Sequence, residues 1–388
     1  MVALARGGHS LSEIARQFQV SRPTVRRWIE RASGKRLDRA SFTDQSRAPH
    51  TVANRSHGVT EALVLQLRRE LKEQSALGEF GAAAILHELQ TRDLIQVPSL
   101  RTIGRILDRG GALDYRRRVR RPAPPKGWYL ATVSNRQAEI DLCDFVEGLS
   151  IGGENEVEVF NVISLHGGLP GSFPAAPYNT DRVLQALVAH WRAVGLPDYA
   201  QFDNDNRFQG PHQYPNTIGR VIRFCLSLGV VPTFAPPREH GLQNAVESYN
   251  GLWQAKVWGR FAYKSLLALQ MQSGKYVAAL RHRHAQRIEN APRRRRFPQR
   301  WHGHEQVPVK GRIIYVRRTD DHGAVTVLGH NHQIASHWSH RLVRCEVDTQ
   351  DKELRCYALR RSDWKAQPLL YRVSYELPKR YLDPERMC

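Results

Sequence analysis

The sequence predicts a multidomain α/β chain, with helical units at the amino end, an α/β domain in the middle and a small β-barrel at the carboxy end. Three observations predict it. Apolar residues recur at helical spacing through residues 1–110, strand-like and helical runs alternate through 127–260, and short Val-, Ile- and Tyr-rich runs divided by polar turns follow residue 305. The expected domains are 1–35, 59–110 and 127–260, then a basic helix and linker over 261–300 and the barrel over 305–375.

At 388 residues the chain is long enough for several cores, and its 41% hydrophobic content argues against general disorder. A formal net charge of +21 predicts a polyanionic partner, double-stranded DNA being one such, while solubility or an acidic membrane surface are the other uses of such charge. No run reaches the roughly 18 apolar residues of a membrane span, and MVALARGGHS does not read as a secretion signal. The five cysteines lack close pairs, so neither a disulfide framework nor a zinc site is expected. A cytoplasmic, nucleoid-associated protein fits these features.

The stretch LSEIARQFQVSRPTVRRWIERA reads as two short helices and a tight turn. Leu11, Ile14, Ala15 and Phe18 form one apolar face, and Val25, Trp28 and Ile29 face it from the second helix. Ser21 is placed to cap that helix, with Pro23 in its first turn. This is a helix-turn-helix pattern, whose outward residues Arg22, Thr24, Arg26, Arg27 and Arg31 are candidate DNA contacts. A Gly-, Ser-, Pro- and Arg-rich linker follows to residue 58.

Residues 60–108 read as three more helices, lined by Leu63, Leu67 and Leu71, by Ile85, Leu86 and Leu89, and by Ile103, Ile106 and Leu107. On the last, Arg101, Thr102 and Arg105 are further DNA-contact candidates; a packing module is the competing reading. The segment YRRRVRRPAPPKG then approaches the central domain with Arg116, Arg117, Arg118, Arg120 and Arg121 available to phosphate and its prolines keeping it extended.

In the central domain AEIDLCDFV suits a partly buried strand, VEVFNVISLHG a second and LPGSFPAA an edge strand. A helix over 181–194, a strand reaching Asp203, a helix over 218–228, the strand VVPTF and the helix within HGLQNAVESYNGLWQAKVW complete it. Propensity alone supports an α/β domain and no finer class. Asp141, Asp203 and Glu247 are the acids expected to meet, with Asp144 and Asp205 as alternatives to the first two. A site of hard oxygen ligands favours magnesium or manganese over zinc. Asn204, Asn244 and Asn250 are candidates to orient these ligands or touch DNA, and Arg238 and Lys256 to meet phosphate.

The order Asp141, then Asp203-Asn204 with Phe208, then Asn244, Glu247 and Asn250 resembles bacterial insertion-sequence transposases of the DDE integrase-core family. The resemblance implies a ribonuclease H-like central domain, helix-turn-helix DNA-binding domains before it and a small β domain after it. It implies Asp141, Asp203 and Glu247 as the catalytic, metal-holding triad, with two magnesium ions that manganese can replace. The implied activity is cleavage at element ends and transfer of DNA 3′-hydroxyl ends into target DNA. The implied partners are terminal inverted repeats, target DNA and further copies of the chain. Two departures stand out: Asp205 occupies the position usually filled by Gly, and the interval from Asp203 to Glu247 is longer than the family's usual one. A catalytically silent DNA-binding regulator and a metal-dependent nuclease without joining activity are the alternatives.

Beyond the central domain, residues 265–287 read as a basic helix. APRRRRFPQRW reads as a linker presenting Arg293, Arg294, Arg295 and Arg296 to phosphate. GRIIYVRR, AVTVLG, RLVRCEV and LRCYALR are the strands of the expected barrel, with HNHQ as one of its turns.

Overall fold

The computed structural model describes residues 1–43, 55–92, 97–113, 126–152, 155–210, 214–236, 241–301, 309–361 and 363–378. The candidates Arg116, Arg117, Arg118, Arg120, Arg121 and Arg238 lie outside the described residues. The chain divides into two compact units, residues 1–61 and 62–388.

The first unit holds α1 (Val2–Arg6), α2 (Leu11–Gln17) and α3 (Arg22–Arg31). Ser10 starts α2 through a capping box: its hydroxyl accepts from the Glu13 amide, and the Glu13 carboxylate accepts from the Ser10 amide. Ser21 caps α3 through the Thr24 amide, with Pro23 in the first turn as the sequence predicts. Ile14, Ala15 and Val25 form the small core, leaving Arg22, Arg26 and Arg27 exposed on α3. Thr24 is half-buried and shares a hydrogen bond with the Ser21 hydroxyl, while Arg31 lies over the Trp28 ring.

The second unit begins with α4 (Gly58–Gln74, most of it within this unit), α5 (Ala82–Thr91) and α6 (Leu100–Arg109). Their buried stripes are Val64 and Leu67, Ile85 and Leu89, and Ile103, Ile106 and Leu107, so the three predicted helices share one core. Arg101 and Arg105 stay exposed, and Thr102 bonds to the capping Ser99.

After α7 (Ala131–Ser134) come β1 (Ile140–Ile151), β2 (Asn155–Ser164), β3 (Pro170–Ala175), α8 (Thr180–Val194), β4 (Tyr199–Phe202), α9 (Asn206–Gln209), α10 (Arg220–Ser227), β5 (Val231–Phe234) and α11 (Asn244–Lys256). Strands β1, β2 and β3 are antiparallel neighbours, while β4 pairs parallel to β1 and β5 parallel to β4. The order β3-β2-β1-β4-β5, with α8 and α10 over one face and α11 over the other, resembles a ribonuclease H-like core.

Helices α12 (Leu266–Arg283) and α13 (Ala285–Glu289) then lead to β6 (Arg312–Arg318), β7 (Ala324–Val327), β8 (His330–Gln333), β9 (Leu342–Asp348), β10 (Glu353–Ala358) and β11 (Leu369–Ser374). The expected barrel is not formed among the described residues. Instead β6 pairs parallel to β5, and β9, β10 and β11 continue outward, giving one open nine-stranded sheet. The reason lies in β6, where Ile313 and Tyr315 enter the core on one face while Ile314 and Val316 enter the core on the other. A strand apolar on both faces needs cover on both, and it also covers the β5 edge. HNHQ, expected as a turn, forms β8 and pairs with β7.

Basic side chains tie α4 and α5 to this domain. The Lys256 ammonium donates to the Gly78 carbonyl at 2.8 Å, and Arg260 donates to the Ser75 and Glu73 carbonyls just past or within the last turn of α4. Arg283 pairs with Glu79 at 3.3 Å. Cations at unsatisfied helix-end carbonyls are favourable, so Lys256, expected to meet DNA, is engaged within the chain. Replacing Lys256 and Arg260 together by Met is expected to speed amide hydrogen exchange in α4 and α5, with α3 unaffected. Equal exchange in both proteins would contradict this tie. Among the described residues no helix is long and apolar enough to cross a membrane.

Candidate active site

Three elements converge at the end of the β1–β4 pair. The parallel register sets Leu142 opposite Gln201, and continuing it by two residues sets Asp203 opposite Asp144. Side chains at alternate strand positions share a face. Leu142 and Gln201 point toward α11, whose Leu242-side entry accepts a hydrogen bond from the Gln201 amide at 3.1 Å. Asp144 therefore faces α11 as well, where Asn250 bonds to it, and Asp203 follows two residues after Gln201, just past the end of β4. On that helix Val246, Tyr249 and Trp253 are buried against the sheet and Glu247, one position round from Val246, is exposed.

The electrostatics record this proximity. Burial first, and then the nearby charges of Asp203 and Glu247, push the Asp144 carboxyl up to about 6. Asp203 is likewise raised, by burial and by the Asp205 charge, although its Oδ1 accepts the Asp205 amide at 3.1 Å. An amide chain steadies Asp144: Asn161 on β2 donates to Asn250 at 2.8 Å, and Asn250 donates to Asp144 Oδ2 at 2.8 Å. Because an ionised carboxylate only accepts, it dictates the orientation of both amides.

Asp141 is elsewhere. Three positions from Asp144 on the same strand, it points to the opposite face and is 0% exposed. Arg294 grips it with two hydrogen bonds of 2.8 and 2.7 Å, and the Trp191 indole N–H adds a third at 2.9 Å. Burial would raise this carboxyl, but the Arg294 charge and hydrogen bonds outweigh it and hold it below the usual range. The expected meeting of Asp141 with Asp203 and Glu247 is thus replaced by one in which Asp144 stands beside them. The strand register sets the two acids on opposite faces of β1, a distinction that composition and order do not carry.

The other candidates sort by their contacts. Asn204 donates to the Ala235 carbonyl at 2.7 Å and accepts from Gln209 at 2.6 Å, bolting the turn after β4 to the end of β5. Asn244 is exposed at the start of α11, whereas Asn250 is buried, because six residues at about 100° each carry it roughly 120° away from Asn244. Arg293 and Arg296 are exposed. Arg295 is exposed too, but its guanidinium donates to the Leu228 and Gly229 carbonyls.

The donor set of Asp144, Asp203 and Glu247 is all hard carboxylate oxygen, and burial first, then neighbouring acidic charge, raises two of its acids, a cost that a cation would offset. Chemically the group fits a magnesium or manganese ion. As the side chains stand they are neighbours rather than a closed chelate, and among the described residues no three His, Cys, Asp or Glu are grouped to hold a metal ion.

Residues 1–40 match the homeodomain-like domain family. No curated protein matches the chain. Among solved structures, the chain is similar to the simian T-cell lymphotropic virus intasome in complex with PP2A regulatory subunit B56 gamma, at 12% identity and TM-score 0.34, covering 68% of this chain and 84% of that one. It is also similar to the HTLV-2 integrase catalytic core domain in complex with magnesium, at 14% identity and TM-score 0.28, covering 42% and 89%. The BIV integrase catalytic core domain follows at 14% and 0.28, covering 36% and 82%.

Proposed function

We propose that this chain is a DNA transposase of the DDE type, which cleaves at the ends of an insertion element and joins the resulting 3′-hydroxyls to target DNA. The observation that supports the reading is the nearness of the Asp203 and Glu247 charges to Asp144 in a chain of net charge +21. An acidic point in a strongly basic protein suits a divalent cation between carboxylates and a phosphodiester backbone.

In this reading Asp144 on β1 and Asp203 just past β4 would hold the cation, and Glu247 would reach it from α11. When bound, the ion supplies Lewis-acid stabilisation of the phosphoryl oxygens and activates a water or a 3′-hydroxyl. Asn250 fixes the Asp144 carboxylate through the hydrogen bond described above. The exposed Arg22, Arg26 and Arg27 of α3 bind DNA at the terminal inverted repeats, and Arg101, Arg105, Arg293 and Arg296 contribute backbone contacts. Two element ends must be processed together, so the active form is a multimer.

The test is incubation of the purified protein with labelled element ends and target DNA in Mg²⁺ or Mn²⁺. Joined product is expected, and its yield should fall steeply as salt rises. Cleavage without joining would assign a nuclease instead, and salt-sensitive binding without cleavage a regulator.

A further inference from the structure

Next to the carboxylates, the turn from β4 into α9 carries a charged pair that the candidate site does not use. Asp205 has φ −61°, an ordinary backbone conformation that does not require glycine. Its carboxylate caps α9 by accepting from the Arg207 amide at 2.7 Å, and it also accepts from the Arg207 guanidinium at 3.0 and 2.7 Å. The same guanidinium reaches Glu158 on β2 at 2.6 Å and Glu147 on β1 at 2.6 Å, and lies 3.8 Å over the Phe145 ring. Phe145 directly follows Asp144, and the Asp205 amide donates to Asp203.

On the proposed transposase reading, we infer that Arg207 is a positioning residue for the carboxylate site: it offsets the Asp205 charge beside Asp203 and clamps the Asp203 turn to β2 and to β1, the strand that carries Asp144. One fork-shaped cation holds three carboxylates and one ring drawn from β1, β2 and the α9 turn, a job a lysine point charge cannot do. Burial works against so enclosed a cation, but the hydrogen bonds it donates to Asp205, Glu158 and Glu147 hold it firmly charged. Without it, the Asp205 carboxylate loses both guanidinium hydrogen bonds beside Asp203, and neighbouring like charges repel.

The inference separates from simple structural support through a rescue. Arg207→Met should lower the joining rate about tenfold or more and raise the Mn²⁺ concentration giving half-maximal rate, and Asp205→Asn combined with Arg207→Met should recover most of both losses. Arg207→Lys, which keeps the charge without the fork, should fall between wild type and Arg207→Met. A double variant no better than Arg207→Met would overturn the inference. A second readout does not depend on activity: hydrogen exchange at the Asp205 and Arg207 amides should accelerate in Arg207→Met. Unchanged exchange there overturns the clamp even if the protein proves active, and accelerated exchange in a protein without DNA cleavage keeps the clamp while sinking the transposase reading.

Discussion

Asp144→Asn is expected to stabilise the ion-free protein while abolishing the proposed metal-dependent DNA chemistry, and Asp141→Asn to destabilise it. The folded Asp144 carboxyl titrates at about 6 instead of the ordinary 3.8, so the folded state binds its proton more tightly than the unfolded chain does. Its contribution is therefore fully present below pH 3.8 and is lost as the pH rises through about 6. At pH 7 the neutral Asn avoids that penalty, which is at most about 3 kcal/mol at 1.36 kcal/mol per pH unit. Saturating Mg²⁺ should raise the melting temperature of the wild type but not that of Asp144→Asn, because an ion that binds only the folded state stabilises it by mass action. Loss of cleavage and joining should reach on the order of a thousandfold, as it should for Asp203→Asn. Calorimetry with and without Mg²⁺, beside the labelled-end assay, checks both halves. An Asp144→Asn protein that joins DNA normally would remove Asp144 from the site.

The opposite responses of two acids three residues apart show where sequence reading reaches and where it stops. The start of α3 was legible because Ser21 caps it locally, three residues from its partner Thr24. The strand and helix order of the central domain followed from apolar periodicity. The fate of β6 was also encoded, since a run apolar on both faces in RIIYVR marks a doubly covered strand, but the polar turns around it suggested a separate barrel. Asp141 was misread because a strand acid looks the same whether its neighbour is solvent or Arg294, which lies 153 residues away in the chain. Basic runs hid the same ambiguity: Arg294, Arg295 and Lys256 look like phosphate ligands until their carbonyl and carboxylate partners are known. Register and long-range pairing, rather than composition, decide these cases.

Arg294→Met should cost about 3–5 kcal/mol of folding stability, the penalty for leaving one member of a buried ion pair without the other. Asp141 would keep only the Trp191 indole hydrogen bond, since His190, 3.9 Å away, is pushed by burial down to about 3 and stays neutral. Arg294 also donates to the Gly195 carbonyl at the end of α8, where a side chain in place of Gly195 would press within 2.8 Å of the Arg295 carbonyl. Losing Arg294 therefore loosens the segment after α13 from the β4 side of the sheet as well as uncovering a charge. In the wild type the Asp141 carboxyl lies below its ordinary value, so this stability is present above the unfolded aspartate pKa and disappears as the pH falls through the folded one. Urea unfolding at pH 7 and at pH 3 should accordingly show a large gap between wild type and Arg294→Met at the higher pH and a narrower one at the lower. Replacing both partners, Asp141→Leu with Arg294→Met, should regain much of the loss, because two apolar side chains leave no buried charge unpaired. A single variant as stable as the wild type would mean that the pair carries no net weight in the fold, and would reopen Asp141 as a ligand free to serve elsewhere.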